Sequence, residues 1–300
     1  MPELPEVEII VRELKQRIIG KRITGFWTDT PKIIKHPSLG AFKKLIIGAK
    51  FSDVKRIGKN ILIYLKKDKR DLLLLAHQKM TGHFMVGKWS IKGVRGKGLE
   101  VRFIGRGPIA TDPRNGFVRA IFYLNNGQML ALSDVRKFSK MVLGEKNKIE
   151  NLSDLKKLGP DALSINFKLD EFSKKLKKTS RTIKQSLLDQ SIVAGIGNIY
   201  ADESLFLSKI NPRNRSNQLN NVQIKNLFEA IIKVLKKAVK FRGTSIIDFR
   251  DTFGKKGGYD KVRLVYGRKG LGCKICSTPI QRIRIGQRSS HFCPKCQRSV

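Results

Sequence analysis

No run of 18 apolar residues occurs in the chain, so no stretch reads as a transmembrane helix. The opening MPELPEVE carries carboxylates where a secretory signal would have a basic region and an apolar stretch, which predicts a cytoplasmic protein that is not secreted. Acidic residues are scarce: 24 Asp and Glu stand against 62 Lys and Arg, a formal net charge of +38, and none follows Asp260. Such one-sided charge points to a polyanionic partner, because neutralising phosphates releases counterions and drives association. Nucleic acid leads; an anionic membrane or a merely solvated basic surface remain open on charge alone. Cysteine is missing from all but the last 28 residues.

The four cysteines there form Cys273-x2-Cys276, sixteen intervening residues, then Cys293-x2-Cys296, the spacing of a four-thiolate zinc site. Disulfides are the alternative, disfavoured without a secretory signal. Three hundred residues, 40% of them hydrophobic, suffice for about two domains and a small module.

Residues 22–142 read mostly as strands. Phe51–Ile57, Asn60–Leu65 and Leu72–Ala76 are short apolar or alternating runs, and Val118–Leu124 with Gln128–Asp134 flank Asn125, Asn126 and Gly127, a hairpin signal. A two-layer β-domain follows. Between them Gly87–Asn115 is rich in Gly, Arg and Lys, with Glu100 and Asp112 its only acids; it reads either as an extra basic hairpin or as a mobile loop. The lysine-rich stretch ending in LGPDAL reads as a linker, 144–160. Beyond it the period becomes helical, over 169–178, 182–189, 198–210 and 220–241, the last with Ile224, Leu227, Phe228, Ile231, Leu235 and Val239 as an apolar stripe. AGIGN, 194–198, places free amides at a helix start, which suits a phosphate or simply a tight turn. Residues 243–266 read as a glycine-bearing loop, a lid or disorder.

MPELPEVE admits two readings. Proline and acids suit a first helical turn, and Val7, Ile10, Val11, Leu14 and Ile18 recur at helical spacing. Alternatively, removal of Met1 leaves Pro2 as a secondary amine with an ordinary pKa of about 7.7 to 8.0, a nucleophile able to form an iminium ion on an aldehyde-level carbon while a carboxyl beside it donates a proton.

The blocks MPELPEVE, KRIGKN, HQKMTG, DVRKF, LGPDAL, AGIGNIYADESLF, GTSIIDF, VYGRKG and the terminal CxxC pair resemble, in order and across nearly the whole chain, the formamidopyrimidine-DNA glycosylases and their endonuclease VIII relatives. The resemblance implies an α+β multidomain fold: an N-terminal helix plus β-sandwich (1–143), a linker (144–160), a helix-two-turn-helix domain (161–265) with a lesion-capping loop (243–265), and a zinc-finger β-hairpin (266–300). Damaged double-stranded DNA would lie in the cleft between domains, bound by a monomer holding one structural zinc. It implies a bifunctional glycosylase and AP lyase that removes oxidised purines, 8-oxoguanine and formamidopyrimidines. Pro2 would attack C1′ and expel the base, and β- then δ-elimination would follow.

By match to the family, Glu3 would handle protons, Glu6 would hold the terminus, and Lys59 would bind phosphate beside the lesion. Asn198 and Arg288 would grip lesion phosphates, contacts that position DNA and carry little sequence information. Met80, Arg136 and Phe138 would fill the gap left by the flipped nucleotide, and His77 matches a family histidine near the site. The chain also departs from the family: DVRKFS stands for DPRRFG, HQKMTG for HLGMSG, the 87–115 segment is longer, and Lys256, Gly257 and Asp260 occupy lid positions where Pro or Phe is common. These departures bear on lesion preference. The alternatives are an endonuclease VIII-like enzyme preferring oxidised pyrimidines, and a non-catalytic damaged-DNA binder with the same fold.

Overall fold

The N-terminal helix, Leu4–Ile18, begins where a capping box permits it: Glu3 and Glu6 each serve the other's backbone, and proline stands in the first turn. Val7, Ile10, Leu14 and Ile18, at the predicted spacing, are fully buried. The structure is a computed structural model and describes every residue except 95–97, 247 and 299–300. It divides into two compact units, one made of Met1–Lys156 with Arg242–Gly258, the other of Lys157–Phe241 with Tyr259–Val300.

In the first unit β1 (Ile23–Thr28), β2 (Ile34–His36), β3 (Lys50–Ile57), β4 (Asn60–Lys67), β5 (Arg70–His77), β6 (His83–Gly87), β7 (Trp89–Val94), β8 (Gly98–Phe103), β9 (Val118–Leu124), β10 (Met129–Ser133) and β11 (Lys140–Glu145) build two main sheets. Their orders are β1-β9-β10-β6 and β2-β11-β5-β4-β3. Inward residues of both sheets, Phe26, Phe122 and Leu130 from one and Ile63, Leu74 and Met141 from the other, share a single core with the helix, which makes a sandwich. The hairpin signal at Asn125–Gly127 joins β9 to β10, with Gly127 at φ 74°.

The basic Gly87–Asn115 segment contains an antiparallel hairpin, Trp89 opposite Phe103 and Ile91 opposite Val101. These side chains pack with Met85, Ile121 and Ala131 on the outer face of the four-stranded sheet. The stretch 144–160 is also more ordered than its composition suggests. It holds two short helical pieces, Lys146–Glu150 and Ser153–Lys156, because buried Ile149 packs against Gly144.

The second unit contains helices Leu169–Lys177, Ile183–Leu188, Asn198–Leu207 and Asn221–Lys240. Capping boxes at Thr182/Gln185 and Asn220/Gln223 start the second and fourth. In the fourth, Ile224, Leu227, Ile231 and Leu235 are buried, and Phe228 stacks on Phe167 at 4.6 Å. The terminal hairpin pairs β12 (Gln281–Ile285) with β13 (Arg288–Phe292), turning at Gly286, φ 56°. Glu203, fully buried, accepts the backbone N–H groups of Leu264, Val265 and Tyr266 and so fixes the chain entering that module; burial pushes its carboxyl up against those hydrogen bonds.

The loop segment 242–258, expected with the helical part, packs on the first unit. The reason is a set of ties to the N-terminal helix: Thr252 donates its N–H (2.9 Å) and hydroxyl (2.7 Å) to Glu13, and Arg242 pairs with Glu13 and Asp251. Among the described residues no helix is long and apolar enough to cross a membrane.

Candidate functional site

Pro2, Glu3 and Glu6 are all buried at the head of the N-terminal helix. Glu6 bridges two chain segments, accepting the Glu3 N–H on Oε2 at 2.7 Å and the Thr244 N–H on Oε1 at 2.8 Å. The second bond requires the backbone to pass very close. Gly243 has φ 74°, and a Cβ there would stand 2.7 Å from Glu6 Oε1 and 2.9 Å from its Cγ. Glycine is therefore required twice over at that point of GTSIIDF.

Lys59 follows Gly58 in the tight turn between β3 and β4 and is 7% exposed. Arg56 fastens this turn to the N-terminal helix by donating to Glu8 (2.9 Å) and to the Gly58 carbonyl (3.1 Å). His77 ends β5, opposite Asn60 and Lys140 in the ladders. The Lys79 N–H donates to its Nδ1 at 2.9 Å, which leaves the ring proton on Nε2. Burial, reinforced by Lys79, Lys59 and Lys140, pushes its pKa down to about 3, so His77 is a neutral N–H donor at physiological pH.

Met80, Arg136 and Phe138 sit on two loops, 78–82 and 134–139, bound together by one fully buried carboxylate. Asp134 accepts the Thr81 hydroxyl, the Arg136 N–H at 3.2 Å, and both the N–H and the hydroxyl of Ser139 at 2.8 Å. Asp134 thus meets Arg136 through its backbone; the guanidinium instead lies 4.7 Å over the Phe138 ring. Phe138 is 51% exposed, as a core phenylalanine would not be. The preceding residues Lys79 and Lys137 both adopt left-handed φ, 52° and 56°, a conformation uncommon outside glycine. Gly82 lets the loops close, since a Cβ there would stand 2.3 Å from Ser139 Oγ and 2.6 Å from the Gln78 carbonyl. Met1, Met80 and Phe138 with Lys32, Lys35, Lys79 and Lys137 line one pocket of about 440 Å³, combining apolar side chains with four lysines. That composition suits a base and its phosphates.

In the second unit Asn198 begins its helix and donates Nδ2 to the Ser289 carbonyl at 3.0 Å, leaving a second N–H on that nitrogen. This bond brings Asn198 to the strand that starts at Arg288, whose exposed side chain makes no hydrogen bond or ion pair among the described residues. Asp202, one turn further on, accepts the Ser290 hydroxyl (2.6 Å), the His291 N–H (2.7 Å) and the fully buried Lys184 ammonium (2.6 Å). Lys184 also donates to the Asn198 carbonyl at 2.9 Å. Helix and hairpin are therefore locked in register. Reading the sequence missed Lys184, Asp202, Glu203, Glu13 and Asp134 as organisers of these loops; the one signal available was the presence of the two acids within ADESLF.

Cys273, Cys276, Cys293 and Cys296 place their sulfurs within 4.8 Å of one another. Three separations are 3.4, 3.5 and 3.9 Å, close to the roughly 3.8 Å edge of a tetrahedron with zinc–sulfur bonds of about 2.3 Å. Backbone N–H groups of Ile275 and Cys296 point at Cys273 Sγ and Cys293 Sγ, both at 3.4 Å, as thiolate charge requires. Four crowded thiolates need a cation between them, and these residues fit one structural zinc.

Family models match three stretches: "Formamidopyrimidine-DNA glycosylase N-terminal domain" over 1–141, "Formamidopyrimidine-DNA glycosylase H2TH domain" over 158–250, and "Zinc finger found in FPG and IleRS" over 270–298. The formamidopyrimidine-DNA glycosylase of Herpetosiphon aurantiacus is 37% identical, covering 99% of this chain and 100% of that protein. That of Crocosphaera subtropica is 39% identical over 99% and 98%. Among solved structures, Lactococcus lactis Fpg in complex with abasic-site DNA superposes with TM-score 0.84 at 32% identity, covering 99% of this chain and 100% of that one. The same enzyme with Fapy-dG DNA gives 0.83 at the same identity and coverage.

Proposed function

The chain belongs to the formamidopyrimidine-DNA glycosylase family, and from that premise we propose that it excises oxidised purines from duplex DNA and then cuts the strand as an AP lyase. The observation that carries this reading is the clamp on the terminus, Glu6 joining the Glu3 N–H to the Thr244 N–H. It would hold a proline amine, once Met1 is removed, in one orientation beside a carboxyl group. The lone pair of that nitrogen attacks C1′ of the flipped nucleotide, the glycosidic bond breaks with its electrons on the base, and the nitrogen gives up its proton; Glu3 then protonates the ring oxygen as the C1′–O4′ bond breaks and the nitrogen lone pair forms the iminium. Loss of the C2′ proton from the resulting iminium expels the 3′ phosphate, and a second elimination expels the 5′ phosphate.

Lys59 would bind phosphate beside the lesion, and the neutral His77 would offer an N–H donor to it. Met80, Arg136 and Phe138 enter the duplex, where a methionine wedge, a guanidinium for the orphaned base and an aromatic ring replace the lost stacking. Asn198 and Arg288 hold lesion phosphates from a helix start and a hairpin tip, and the zinc bound by the four cysteines keeps that hairpin folded. On this reading residues 1–143 are the catalytic domain, 161–265 the helix-two-turn-helix domain with its capping loop, and 266–300 the zinc finger.

Borohydride reduction with abasic-site DNA tests the chemistry: the wild type is expected to be trapped covalently through Pro2, and Pro2→Gly to trap poorly. An active preparation that never traps sinks the lyase assignment. Excision from duplexes carrying 8-oxoguanine opposite cytosine is expected to exceed that of thymine glycol opposite adenine; the reverse order overturns the purine assignment.

A further inference from the structure

The arm that returns from the β7–β8 hairpin to β9 is fastened at one end to the sandwich. His83 Nε2 lies 3.0 Å from Asn115 Oδ1, and the Ser133 hydroxyl donates to the Arg114 carbonyl at 3.0 Å. The same stretch, with Asp112, also meets the loop that follows the long helix. Arg250 Nε donates to Asp112 Oδ2 at 2.6 Å, with the two side chains only 4% and 16% exposed. Asn115, buried, donates Nδ2 to the Gly254 carbonyl at 3.3 Å, and Arg114 pairs with Asp248 at 3.1 Å. Gly254, φ 74°, admits the arm: a Cβ there would stand 2.6 Å from Asn115 Nδ2 and 2.9 Å from the Ile109 backbone nitrogen.

The opposite side of the same turn is held by the N-terminal helix. Glu13 accepts Thr252, Arg17 donates to the Thr252 carbonyl at 2.8 Å, and the Arg17 guanidinium lies 4.2 Å over the Phe253 ring. Residues 248–254 therefore lie between two supports, one of which is part of the lengthened segment by which this chain departs from its family. Asp112 remains a carboxylate there: burial pushes it up, but Arg250 and the Arg114 N–H hold it below the ordinary value.

We propose that the arm 107–116 braces the capping loop, with Asp112 and Asn115 as positioning residues that set where residues 248–254 stand over a flipped base. The proposal rests on the reading of this loop as the one that covers the lesion. A brace for a loop that covers the base matters while a base is present and not after it is gone. Base excision and cleavage at a pre-formed abasic site should therefore respond differently to its loss.

The test uses full-length protein under single-turnover conditions, with whichever lesion duplex the wild type processes fastest, and an abasic-site duplex in parallel. Asp112→Asn removes a charge-assisted bond and is expected to slow excision about 10-fold or more while changing abasic-site cleavage less than about twofold. Asp112→Glu is expected to recover most of the loss, and Asn115→Ala to reproduce it. Equal slowing of both reactions, or of neither, overturns the brace. Amide exchange over 248–256 reports on the brace without any activity: Asp112→Asn is expected to speed it about 10-fold, and unchanged exchange also overturns it. A wild type that cleaves no substrate, with exchange accelerated as expected, would refute the glycosylase reading and leave the brace standing.

Discussion

Replacing Glu6 by Gln perturbs the clamp with almost no change of volume. In the native arrangement each carboxylate oxygen accepts one backbone N–H, from Glu3 at 2.7 Å and from Thr244 at 2.8 Å, in a site where Glu6 is 2% exposed. A glutamine keeps one acceptor and turns an NH2 toward the other N–H, so one bond becomes neutral and one buried donor faces another donor. Hydrogen bonds to charged groups are worth about 1.5–3 kcal/mol and a buried unsatisfied donor costs about 1–3, so a net loss of about 2–4 kcal/mol is expected. Spread over the local equilibrium that orders the terminus against residues 243–244, this is a factor of roughly 30 to 700. The assay is the rate of borohydride trapping on abasic-site DNA, measured beside the urea midpoint. Trapping is expected to slow by more than tenfold while the midpoint moves by what a loss of that size gives. Unchanged trapping at an unchanged midpoint would show that the carboxylate does not hold the terminus.

His77 is the next test. Its pKa of about 3 lies below the ordinary imidazole value, so above pH 6.5 both folded and unfolded chains carry it neutral. As pH falls from about 6.5 towards 3 only the unfolded chain takes up the proton, and stability falls by at most about 1.4 kcal/mol per pH unit. Nitrogen NMR is expected to find an Nε2–H tautomer that does not titrate between pH 5 and 8; a midpoint above 5 refutes the burial argument. Gly82→Ala drives a methyl into Ser139 Oγ at 2.3 Å and should part the 78–82 and 134–139 loops, weakening binding to abasic-site DNA at least fivefold, roughly 1 kcal/mol. Binding at the wild-type level by titration would count against the shared Asp134 hinge. Cys276→Ser or chelation should release one zinc per chain and impair DNA binding more than the fold of residues 1–142; metal-free protein that binds DNA normally contradicts the site.

Local pattern made some of this legible in the sequence. The period of Val7, Ile10, Leu14 and Ile18 gave the buried helix face, turn chemistry at Asn125–Gly127 gave a hairpin, and cysteine spacing gave the metal site. The β7–β8 hairpin was harder to see, although Trp89 and Ile91 alternate with Ser90 and pair with Phe103 and Val101, because basic residues dilute the apolar period. Side-chain pairs far apart in sequence left no local trace. Glu13 meets Thr252 across 239 residues and Asp112 meets Arg250 across 138, and neither partner differs in type from an ordinary surface residue. The placement of 242–258 with the first unit follows from long-range pairs of this kind, so composition could not assign it.

The scarcity of acids acquires a structural meaning once their positions are known. Glu3, Glu6, Glu13, Asp134, Asp202, Glu203 and Asp251 are all buried, seven of the 24. Carboxylates are rarely buried without partners, and all seven accept backbone N–H groups, Glu3 from the first turn of its helix, Glu6, Glu13, Asp202 and Glu203 from segments distant in sequence, Asp134 and Asp251 from their own loops. An acceptor-only group with two oxygens can gather several donors at one point, which a lysine or arginine cannot do for backbone N–H. The N-terminus, the 243–258 loop, the 78–82 and 134–139 loops and the terminal hairpin are each fixed by such a group. The cations remain largely outside, so the surface offered to phosphate is more one-sided than the composition implies. The structural acids and the DNA-facing charge are thus one division of labour: neutralising a buried carboxylate should disorder a single loop, whereas removing a surface lysine should lower the salt dependence of binding by about one unit of slope and leave every loop in place.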